Sequence, residues 1–341
     1  MLITEEPIFR RFWYPTLRLD ELDDGPKAFT LLAEDIVLWK QGDGSPAALE
    51  DKCPHRSVKL SVDSLVVDGA LRCGYHGWRF GGDGGCVLVP QTPDLAPPAR
   101  NAAKAYHCQE RYGYVWVCLE EPVRDIPDLP HADDPGFRQV FEYDQTWRAN
   151  ALRIGENALD LSHISFVHRA TFGEDDNPVA PTLDFFDVED GIGIESQMPV
   201  ANREDQQRNL NIAETHTMRY LTITWRLPAV FTIRITYPTG LIHQIIGFTT
   251  PIDDQHTHRC QFVYRNDGEE DAPAEDVAAF DMLVAAEDRL ILESGGPDYP
   301  LDLHAEAHMY LDRPGILMRQ VLSEWLDGPR EERLQVGTAA E

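Results

Sequence analysis

Apolar and polar positions divide the chain into two parts. In residues 29–53, FTLLAEDIVLWKQGDGSPAALEDKC, two apolar runs flank a turn rich in Gly, Asp, Ser and Pro, a pattern that predicts a β-hairpin. The segments 81–86 and 89–98 carry the glycines and prolines that are typical of loops. The first 120 residues are therefore predicted to form short strands joined by turns.

Longer periodic segments follow in the second part. Residues 231–238, FTIRITYP, alternate apolar and polar side chains as a half-buried strand does, and residues 258–266, HRCQFVYRN, predict another strand. Residues 275–294 have the composition of a helix that stops at Gly295-Gly296-Pro297. Residues 315–326, GILMRQVLSEWL, predict a second amphipathic helix, followed by a polar tail. Strands in the first part of the chain, and a mixture of strands and helices in the second part, predict an α+β fold.

The segment 120–137, rich in Pro and Asp, separates these two parts. A chain of 341 residues is long enough for two ordinary domains. We therefore predict one domain over residues 1–125 and a second over residues 126–341.

Composition and charge exclude several classes of partner. The longest apolar run, at 112–119, is far shorter than the roughly 20 residues that span a bilayer, and the N-terminus lacks the apolar region of a signal peptide. The net charge of -28 argues against nucleic acid or an anionic membrane as the main partner. Six cysteines are few for this length and are better interpreted as thiols or metal ligands than as disulfides, so we expect a cytoplasmic protein.

Four metal-binding side chains lie in two close pairs within residues 53–80, CPHRSVKLSVDSLVVDGALRCGYHGWRF. The first pair is Cys53 with His55, and the second, after seventeen residues, is Cys73 with His76. This pattern indicates a [2Fe–2S] centre in which the two cysteines hold one iron and the two histidines hold the other. A zinc site is the alternative, although zinc knuckles usually pair Cys with Cys and His with His.

The segment resembles the cluster motif of the Rieske non-haem iron oxygenases, on the residues Cys53-Pro54-His55-Arg56, Cys73 and Tyr75-His76-Gly77-Trp78. Asp63 stands where glycine is usual, and Gly74 stands where proline is common. The resemblance extends over roughly residues 10–325 and is to the compact group that includes phthalate dioxygenase, vanillate O-demethylase and dicamba monooxygenase. It implies an N-terminal all-β Rieske domain and a C-terminal catalytic domain of antiparallel sheet and helices.

A second group of candidate ligands lies in residues 157–168, NALDLSHISFVH. On an ideal helix, at about 100° per residue, His163 and His168 would be roughly 140° apart, so either they are unrelated or the helix distorts. The resemblance implies distortion around a metal, because Asn157, Asp160, His163 and His168 match the family's second-site signature. In that family the two histidines bind a mononuclear iron.

The third ligand of a two-histidine, one-carboxylate triad is expected far downstream. The helix predicted at 275–294 carries an apolar stripe formed by Val277, Phe280, Val284 and Ile291. Asp288 fills a gap in that stripe, and an ionised acid on a buried face needs a partner or a metal. The family's ligand aspartate lies in a similar context, so Asp288 is the favoured ligand, with Glu287 or Asp281 as the fallback. An exposed surface acid is the alternative.

The resemblance also implies a role for the acid between the two groups. In the family the aspartate that matches Asp160 joins a histidine of the mononuclear iron to a cluster histidine of the neighbouring subunit in a head-to-tail homotrimer. Asp160 would then link His163 to His76 of the next chain and carry the electron route. A surface aspartate with a local hydrogen bond is the alternative. Asn157 would lie beside the iron without necessarily binding it.

The resemblance therefore implies a terminal oxygenase with one Rieske [2Fe–2S] cluster, one mononuclear Fe(II) and O2 as co-substrate. Electrons derived from NAD(P)H would arrive through a reductase or ferredoxin. Monooxygenation of an aromatic or polycyclic small molecule, by hydroxylation or oxidative demethylation, is the first choice, and ring cis-dihydroxylation is second. A Rieske electron-transfer protein without oxygenase activity, or a zinc-binding interaction module, are the alternatives of other classes.

Partner and substrate contacts are less well defined by the sequence. Basic residues exceed acidic ones by two within residues 51–80, either as a donor-docking patch or as a chance fluctuation. The basic residues are Lys52, Arg56, Lys59, Arg72 and Arg79. Candidate pocket residues are Asn209, Asn211, His216, Met218, Trp225, Phe231, Arg234 and His243. Arg234 either pairs with a substrate carboxylate or is an exposed strand arginine.

Overall fold

Residues 1–327, apart from 177, 179, 180 and 211, are described by a computed structural model. They divide into one unit of residues 3–127 and another of residues 1–2 and 128–327. The polar tail predicted after the last helix lies outside the described residues.

The elements follow one another along the chain with every sheet contact antiparallel. The strands are β1 (Tyr14–Arg18), β2 (Lys27–Leu31), β3 (Glu34–Lys40), β4 (Pro46–Glu50), β5 (Leu65–Val67), β6 (Ala70–Arg72), β7 (Arg79–Phe80), β8 (Cys86–Leu88), β9 (Ala105–Arg111), β10 (Tyr114–Cys118), β11 (Arg138–Trp147), β12 (Asp184–Val188), β13 (Gly191–Ala201), β14 (His216–Arg226), β15 (Val230–Thr236), β16 (Ile242–Pro251) and β17 (Thr257–Arg265). The helices are α1 (Ala151–Leu159), α2 (Ile164–Val167), α3 (Glu204–Leu210), α4 (Ala274–Leu292) and α5 (Arg313–Asp327).

The first unit contains two sheets. One has six strands in the order β1-β10-β9-β4-β3-β2, and the other has four in the order β5-β6-β7-β8. The hairpin predicted in residues 29–53 is confirmed as β3 and β4, which pair with Trp39 opposite Ala47. Trp39 and Leu49 belong to a group of buried residues in the hydrophobic core that also contains Cys53 and Cys73. The two cysteines predicted to bind the [2Fe–2S] centre are therefore anchored in the core of this unit.

The second unit is built on one seven-stranded sheet in the order β11-β17-β16-β15-β14-β13-β12. Helix α4 begins after Pro273. Two acids in its first turn interact favourably with the positive end of the helix dipole. It packs through Val277 on Val140 of β11 and Val263 of β17. The predicted α+β class is confirmed, as are the strands and the two helices predicted in this part of the chain. In the described chain, no helix combines the length and the apolar character needed to cross a membrane.

A close contact between β15 and β16 fixes one wall of the second unit. Gly247 lies directly opposite Phe231, whose ring is buried and lies across it. A Cβ atom at residue 247 would be 2.2 Å from the tip of that ring. Only glycine therefore allows the ring of Phe231 to keep its position.

We predict that Gly247→Ala lowers the thermal midpoint of the second unit. The added methyl forces Phe231 to move, and overpacking of this kind costs about 1–3 kcal/mol. For a domain of this size about 1 kcal/mol lowers the midpoint by about 2–4 °C, which calorimetry measures. Gly268→Ala is the control, because its nearest neighbour is at 3.5 Å. Equal midpoints for the two variants would contradict the prediction.

Candidate functional site

The first cluster loop connects β4 to β5. The amide of Cys53 donates to the carbonyl of Val58 (2.8 Å), and the carbonyl of Cys53 accepts from the amide of Ser57 (2.8 Å). Ser57 adopts a left-handed φ of 56° to close this turn. Cys53 is 2% exposed, so the turn holds its thiol against the core of the first unit.

The second cluster loop, between β6 and β7, repeats that backbone. The amide of Cys73 donates to the carbonyl of Trp78 (2.9 Å), and the carbonyl of Cys73 accepts from the amide of Gly77 (3.0 Å). Gly77 has a left-handed φ of 73°, as the equivalent Ser57 does. Two matching turns therefore each present a buried cysteine and, within three residues, a histidine.

The structure brings the four predicted ligands together. The rings of His55 and His76 are 4.6 Å apart between centroids, and Nδ1 of His55 is buried without a hydrogen-bond partner among the described residues. Burial and then the adjacent Cys73 raise the pKa of Cys53 to about 11. Burial lowers the pKa of His55, as do the neighbouring His76 and Arg56, so this imidazole is neutral. Two buried thiols beside two adjacent imidazoles fit a Rieske [2Fe–2S] cluster.

Asp63 and Gly74, the two residues that depart from the family motif, lie next to each other in the structure. Asp63 has a left-handed φ of 52°, the conformation that glycine adopts most easily. A Cβ atom at Gly74 would lie 2.5 Å from the carbonyl oxygen of Asp63. Gly74 is therefore required by the path of the chain at Asp63.

The predicted basic patch is partly neutralised within the first unit. Lys59 pairs with Asp35 (3.1 Å), and Arg79 pairs with Asp68 (3.1 Å). Arg56 is exposed and Arg72 is half-buried. The local positive excess is therefore smaller than the count within residues 51–80 indicates.

The segment predicted as one distorted helix is instead two helices with a break. Helix α1 begins after Asn150, whose side chain accepts from the amide of Leu152, and ends at Leu159. Asp160 then has an extended backbone, and α2 begins after His163. The break brings Nε2 of His163 to 3.2 Å from Nε2 of His168. The predicted distortion of the helix thus takes the form of a break that brings the two histidines together.

Helix α4 brings Asp288 to this pair. Its Oδ1 lies 3.4 Å from Nε2 of each histidine and is buried without a hydrogen-bond partner among the described residues. The two fallback acids point elsewhere: Glu287 contacts the far nitrogen of His168 (3.0 Å), and Asp281 contacts His243 (2.9 Å). The prediction that Ile291 belongs to the buried apolar stripe is wrong, because this side chain is 54% exposed.

The three ligand atoms have the chemistry of a metal site. Bonds of about 2.1 Å at right angles would separate ligand atoms by about 3 Å, close to the spacing found here. Burial lowers the pKa of His168 to about 3, helped by His163 and Arg219. Burial raises the pKa of Asp288, although His163 opposes the shift. Converging acceptors with one unpaired carboxylate oxygen fit a divalent metal such as Fe(II).

Each histidine also contacts a carboxylate through its other nitrogen. Glu287 lies 3.0 Å from Nδ1 of His168 and accepts from the hydroxyl of Thr171 (2.8 Å). Asp160 Oδ2 lies 3.5 Å from Nδ1 of His163, and its Oδ1 accepts from the amide of Ser162 (2.6 Å). Burial opposes protonation of His163, yet Asp160 and Asp288 raise its pKa. Carboxylates in these positions orient metal-binding imidazoles.

Asn157 and Glu287 both lie beside the triad, but the sequence predicts the position of Asn157 better than that of Glu287. The side chain of Asn157 hydrogen-bonds to Asp288, which is compatible with its predicted place beside the metal. The sequence offers Glu287 as a fallback metal ligand and does not predict its contact with Nδ1 of His168. The only available signal was its position one residue before Asp288.

A cavity of about 140 Å³ lies against the triad, within the second unit. An engineered apolar cavity of roughly 150 Å³ admits benzene, so the space suits a single ring or a small fused system. Apolar lining residues include Leu221, Ile223, Phe231, Ile233, Ile235 and Ile245. Polar ones include Gln206, Asn209, Arg219, Tyr237, His243, Arg259 and Gln261.

Only some of the predicted pocket residues line the cavity. Those that do are Asn209, Phe231 and His243, and those that do not are His216, Met218, Trp225 and Arg234. Asn211 lies outside the described residues. Arg219 and Arg259 were missed, although strict alternation along β14 and β17 puts both on inward-facing positions.

Comparison with known proteins follows the division into two units. The model of the Rieske [2Fe-2S] domain matches residues 12–100, and that of the vanillate O-demethylase oxygenase C-terminal domain matches residues 147–328. Methylxanthine N1-demethylase NdmA of Pseudomonas putida is 29% identical over 347 residues, which cover 96% of this chain and 92% of the relative. The oxygenase component of dicamba O-demethylase of Stenotrophomonas maltophilia is 36% identical over 165 residues, 47% of this chain and 48% of that relative.

Solved structures show the same similarity over nearly the whole chain. The structure of NdmA of Pseudomonas putida with caffeine superposes with a TM-score of 0.85 at 28% identity, covering 98% of this chain and 96% of that chain. Dicamba monooxygenase bound to 3,6-dichlorosalicylic acid superposes with a TM-score of 0.78 at 25% identity, covering 97% and 99%.

We predict that Asp288→Asn weakens binding of Fe(II) at the second centre by about tenfold or more, because it removes the negative charge between the two imidazoles. The measurement is iron bound per chain after anaerobic titration and desalting, with the visible absorbance of the cluster as an internal reference. Asp276→Asn, an exposed acid in the first turn of α4, is the matched control. Normal iron content in Asp288→Asn would show that the wrong carboxylate was chosen.

Proposed function

This chain belongs to the Rieske non-haem iron oxygenases, and from that membership we propose that it is a terminal oxygenase that demethylates or hydroxylates an aromatic or polycyclic small molecule. The observation that carries this proposal is the contact between the triad of His163, His168 and Asp288 and a ring-sized cavity. An electron carrier would need neither the triad nor the cavity. The methyl groups removed by the relatives named above favour demethylation over hydroxylation.

The residues of each centre have separate tasks. Cys53, His55, Cys73 and His76 would hold the Rieske cluster, and the triad would hold Fe(II). These groups, when bound, supply single-electron transfer and the activation of O2. The apolar wall formed by β14, β15 and β16 would orient the substrate and exclude water from the triad. Glu287 and Asp160 would keep His168 and His163 in the orientation that leaves Nε2 toward the metal.

Asp160 is proposed to connect the triad to a neighbouring copy of the chain. Its side chain is 38% exposed although one oxygen contacts His163, so the carboxylate has room for a second partner. By family resemblance that partner is His76 of the next chain in a homotrimer. The second unit also exposes large apolar side chains suited to subunit contact, namely Met282, Leu283, Leu290, Ile291, Met309 and Tyr310.

The electron donor is proposed to be a reductase or ferredoxin that docks beside the cluster loops. Around these loops the first unit exposes the apolar side chains of Val62, Leu65 and Tyr75, and Arg56 adds a positive charge. Arg72, Lys59 and Arg79 would contribute less, the last two because they already pair with acids. Because all six cysteines are free thiols, we propose the cytoplasm as the compartment.

The test is a panel of methylated and unmethylated aromatic compounds supplied with a surrogate reductase, NADH and O2. Demethylation predicts one formaldehyde per O2 consumed, and hydroxylation predicts an alcohol or phenol. A cis-diol product would instead support dihydroxylation. His163→Ala is the control, expected to keep cluster absorbance and lose turnover. O2 consumption or cluster reduction without any organic product across the panel would favour the electron-transfer alternative.

We predict that Asp160→Asn retains both metal centres and stalls transfer between them. The amide keeps the shape of the side chain but removes the charge that holds His163, and outer partners of this kind are worth about 10–100-fold. Stopped-flow oxidation of the pre-reduced cluster, with substrate and O2 present, measures the step. Asp187→Asn, an exposed acid on β12, is the control. Wild-type oxidation rates in Asp160→Asn would refute the connecting role.

A further inference from the structure

A guanidinium without a counter-charge lies in the wall of the substrate cavity. Arg219 is 4% exposed, and its Nε and Nη2 have no hydrogen-bond partner among the residues that the structure describes. The described residues also place no carboxylate within ion-pair distance of it. An isolated buried cation is among the most unfavourable groups a fold can hold, so its retention requires a reason.

The position of Arg219 follows from the alternation of β14. Leu221 and Ile223 share its inward face and line the cavity with it, whereas Met218 and Tyr220 are 38% and 50% exposed on the other face. Arg219 therefore lies on the inward face between the polar Thr217 and the apolar Leu221. Nothing in the periodicity of the strand requires a charge there.

Ring stacking connects this guanidinium to the triad. The Arg219 guanidinium carbon lies 4.2 Å from the ring centroid of Phe172, and that ring stacks on His168 at 5.0 Å. The charge therefore lies one aromatic layer away from a metal-binding imidazole.

Two other buried guanidinium groups in the described chain face carboxylates, whereas Arg259 has no carboxylate within ion-pair distance and its buried Nε has no hydrogen-bond partner. Arg265 uses its Nε and Nη2 edge for the carboxylate of Asp267, and its Nη1 donates to Asn209. Arg319 pairs with Glu156 and Glu306. The Nε and Nη2 edge of Arg219 is the same edge that Arg265 offers to a carboxylate.

We propose that Arg219 binds an anionic oxygen group of the substrate, so that the preferred substrates are aromatic carboxylates. This inference rests on the proposed function, since it concerns the same cavity. A planar fork of two N–H donors matches the two oxygens of a carboxylate and gains more from a charge than from a neutral carbonyl. Methylxanthines carry no carboxylate, whereas the 3,6-dichlorosalicylic acid bound to dicamba monooxygenase does, so the inference separates this chain from the methylxanthine demethylase alone of the relatives named above.

Alternative partners inside the cavity are already engaged. Asp281 accepts from His243 (2.9 Å), and Arg259 donates to the carbonyl of Cys260 (2.8 Å) and to Gln261. Asp281 is therefore not available to neutralise Arg219, and Arg259 keeps only its Nε without a partner. Among the described residues that line the cavity, Arg219 is the arginine that offers two adjacent unpaired donors to an anion.

The first test compares ligands that differ only in charge. Calorimetric titration of the purified protein with 3-methoxybenzoate and 3-methoxybenzamide, and with the benzoate–benzamide and naphthoate–naphthamide pairs, requires no turnover. Wild type should bind at least one carboxylate about tenfold more tightly than its amide. Arg219→Gln should abolish that preference, Arg219→Lys should retain part of it, and Arg208→Gln, an exposed charge-loss control, should leave it intact. No preference in the wild type, or an unchanged preference in Arg219→Gln, overturns the inference.

A second measurement does not depend on choosing the right ring. Arg219→Met should raise the thermal midpoint of the unliganded protein, because it removes an uncompensated charge, whereas Arg265→Met should lower it. A fall in both variants would mean that Arg219 is a structural residue, and the inference would fail. Turnover of neutral substrates alone would refute the inference and leave the proposed function standing. Arg219-dependent carboxylate binding without turnover would do the reverse.

Discussion

The second unit depends on the convergence of two imidazole nitrogens and one carboxylate oxygen within 3.4 Å. Lone pairs at such distances repel unless a cation or a proton lies between them. The break between α1 and α2 exists to supply two of these atoms, and α4 is anchored on β11 and β17 so that it supplies the third. A bound metal would therefore complete the packing of these elements as well as their chemistry.

A second buried network stiffens the far side of the same cavity. Burial and the adjacent Asp281 raise the pKa of Glu142 well above its usual range, whereas His243 holds the pKa of Asp281 low in spite of burial. Arg265 can only donate, so its contact with Nδ1 of His243 (3.2 Å) leaves Nε2 of that ring to donate to Asp281. The network is thus closed on itself, and the pKa values of its two acids are shifted in opposite directions. It gives the cavity a fixed polar wall without adding a free charge.

The sequence allowed the first centre to be predicted more completely than the second. Cluster ligands lie in short loops whose hydrogen bonds are local, so spacing and residue type were enough to group Cys53 with His55 and Cys73 with His76. The triad joins His168 to Asp288, which is 120 positions further along the chain. The helix break at Asp160 contains no Pro or Gly from which it could be predicted. The apolar stripe of the predicted helix singles out Asp288, which lies beside both histidines, although Ile291 in the same stripe is exposed. The sequence does not distinguish Arg219 from Arg234, an arginine on the other face of the neighbouring strand.

The charges of the cavity give the substrate a direction. The triad, where a bound divalent metal would offset the carboxylate of Asp288, and the unpaired guanidinium of Arg219 both line the cavity. Phe172 lies between Arg219 and His168. An anionic ring compound would neutralise Arg219 only with its charged group turned away from the triad, which leaves the opposite edge of the ring toward the metal. A neutral compound has no such preference and would sample more than one orientation. Arg219 would therefore select the atom that is oxidised as well as the molecule that binds.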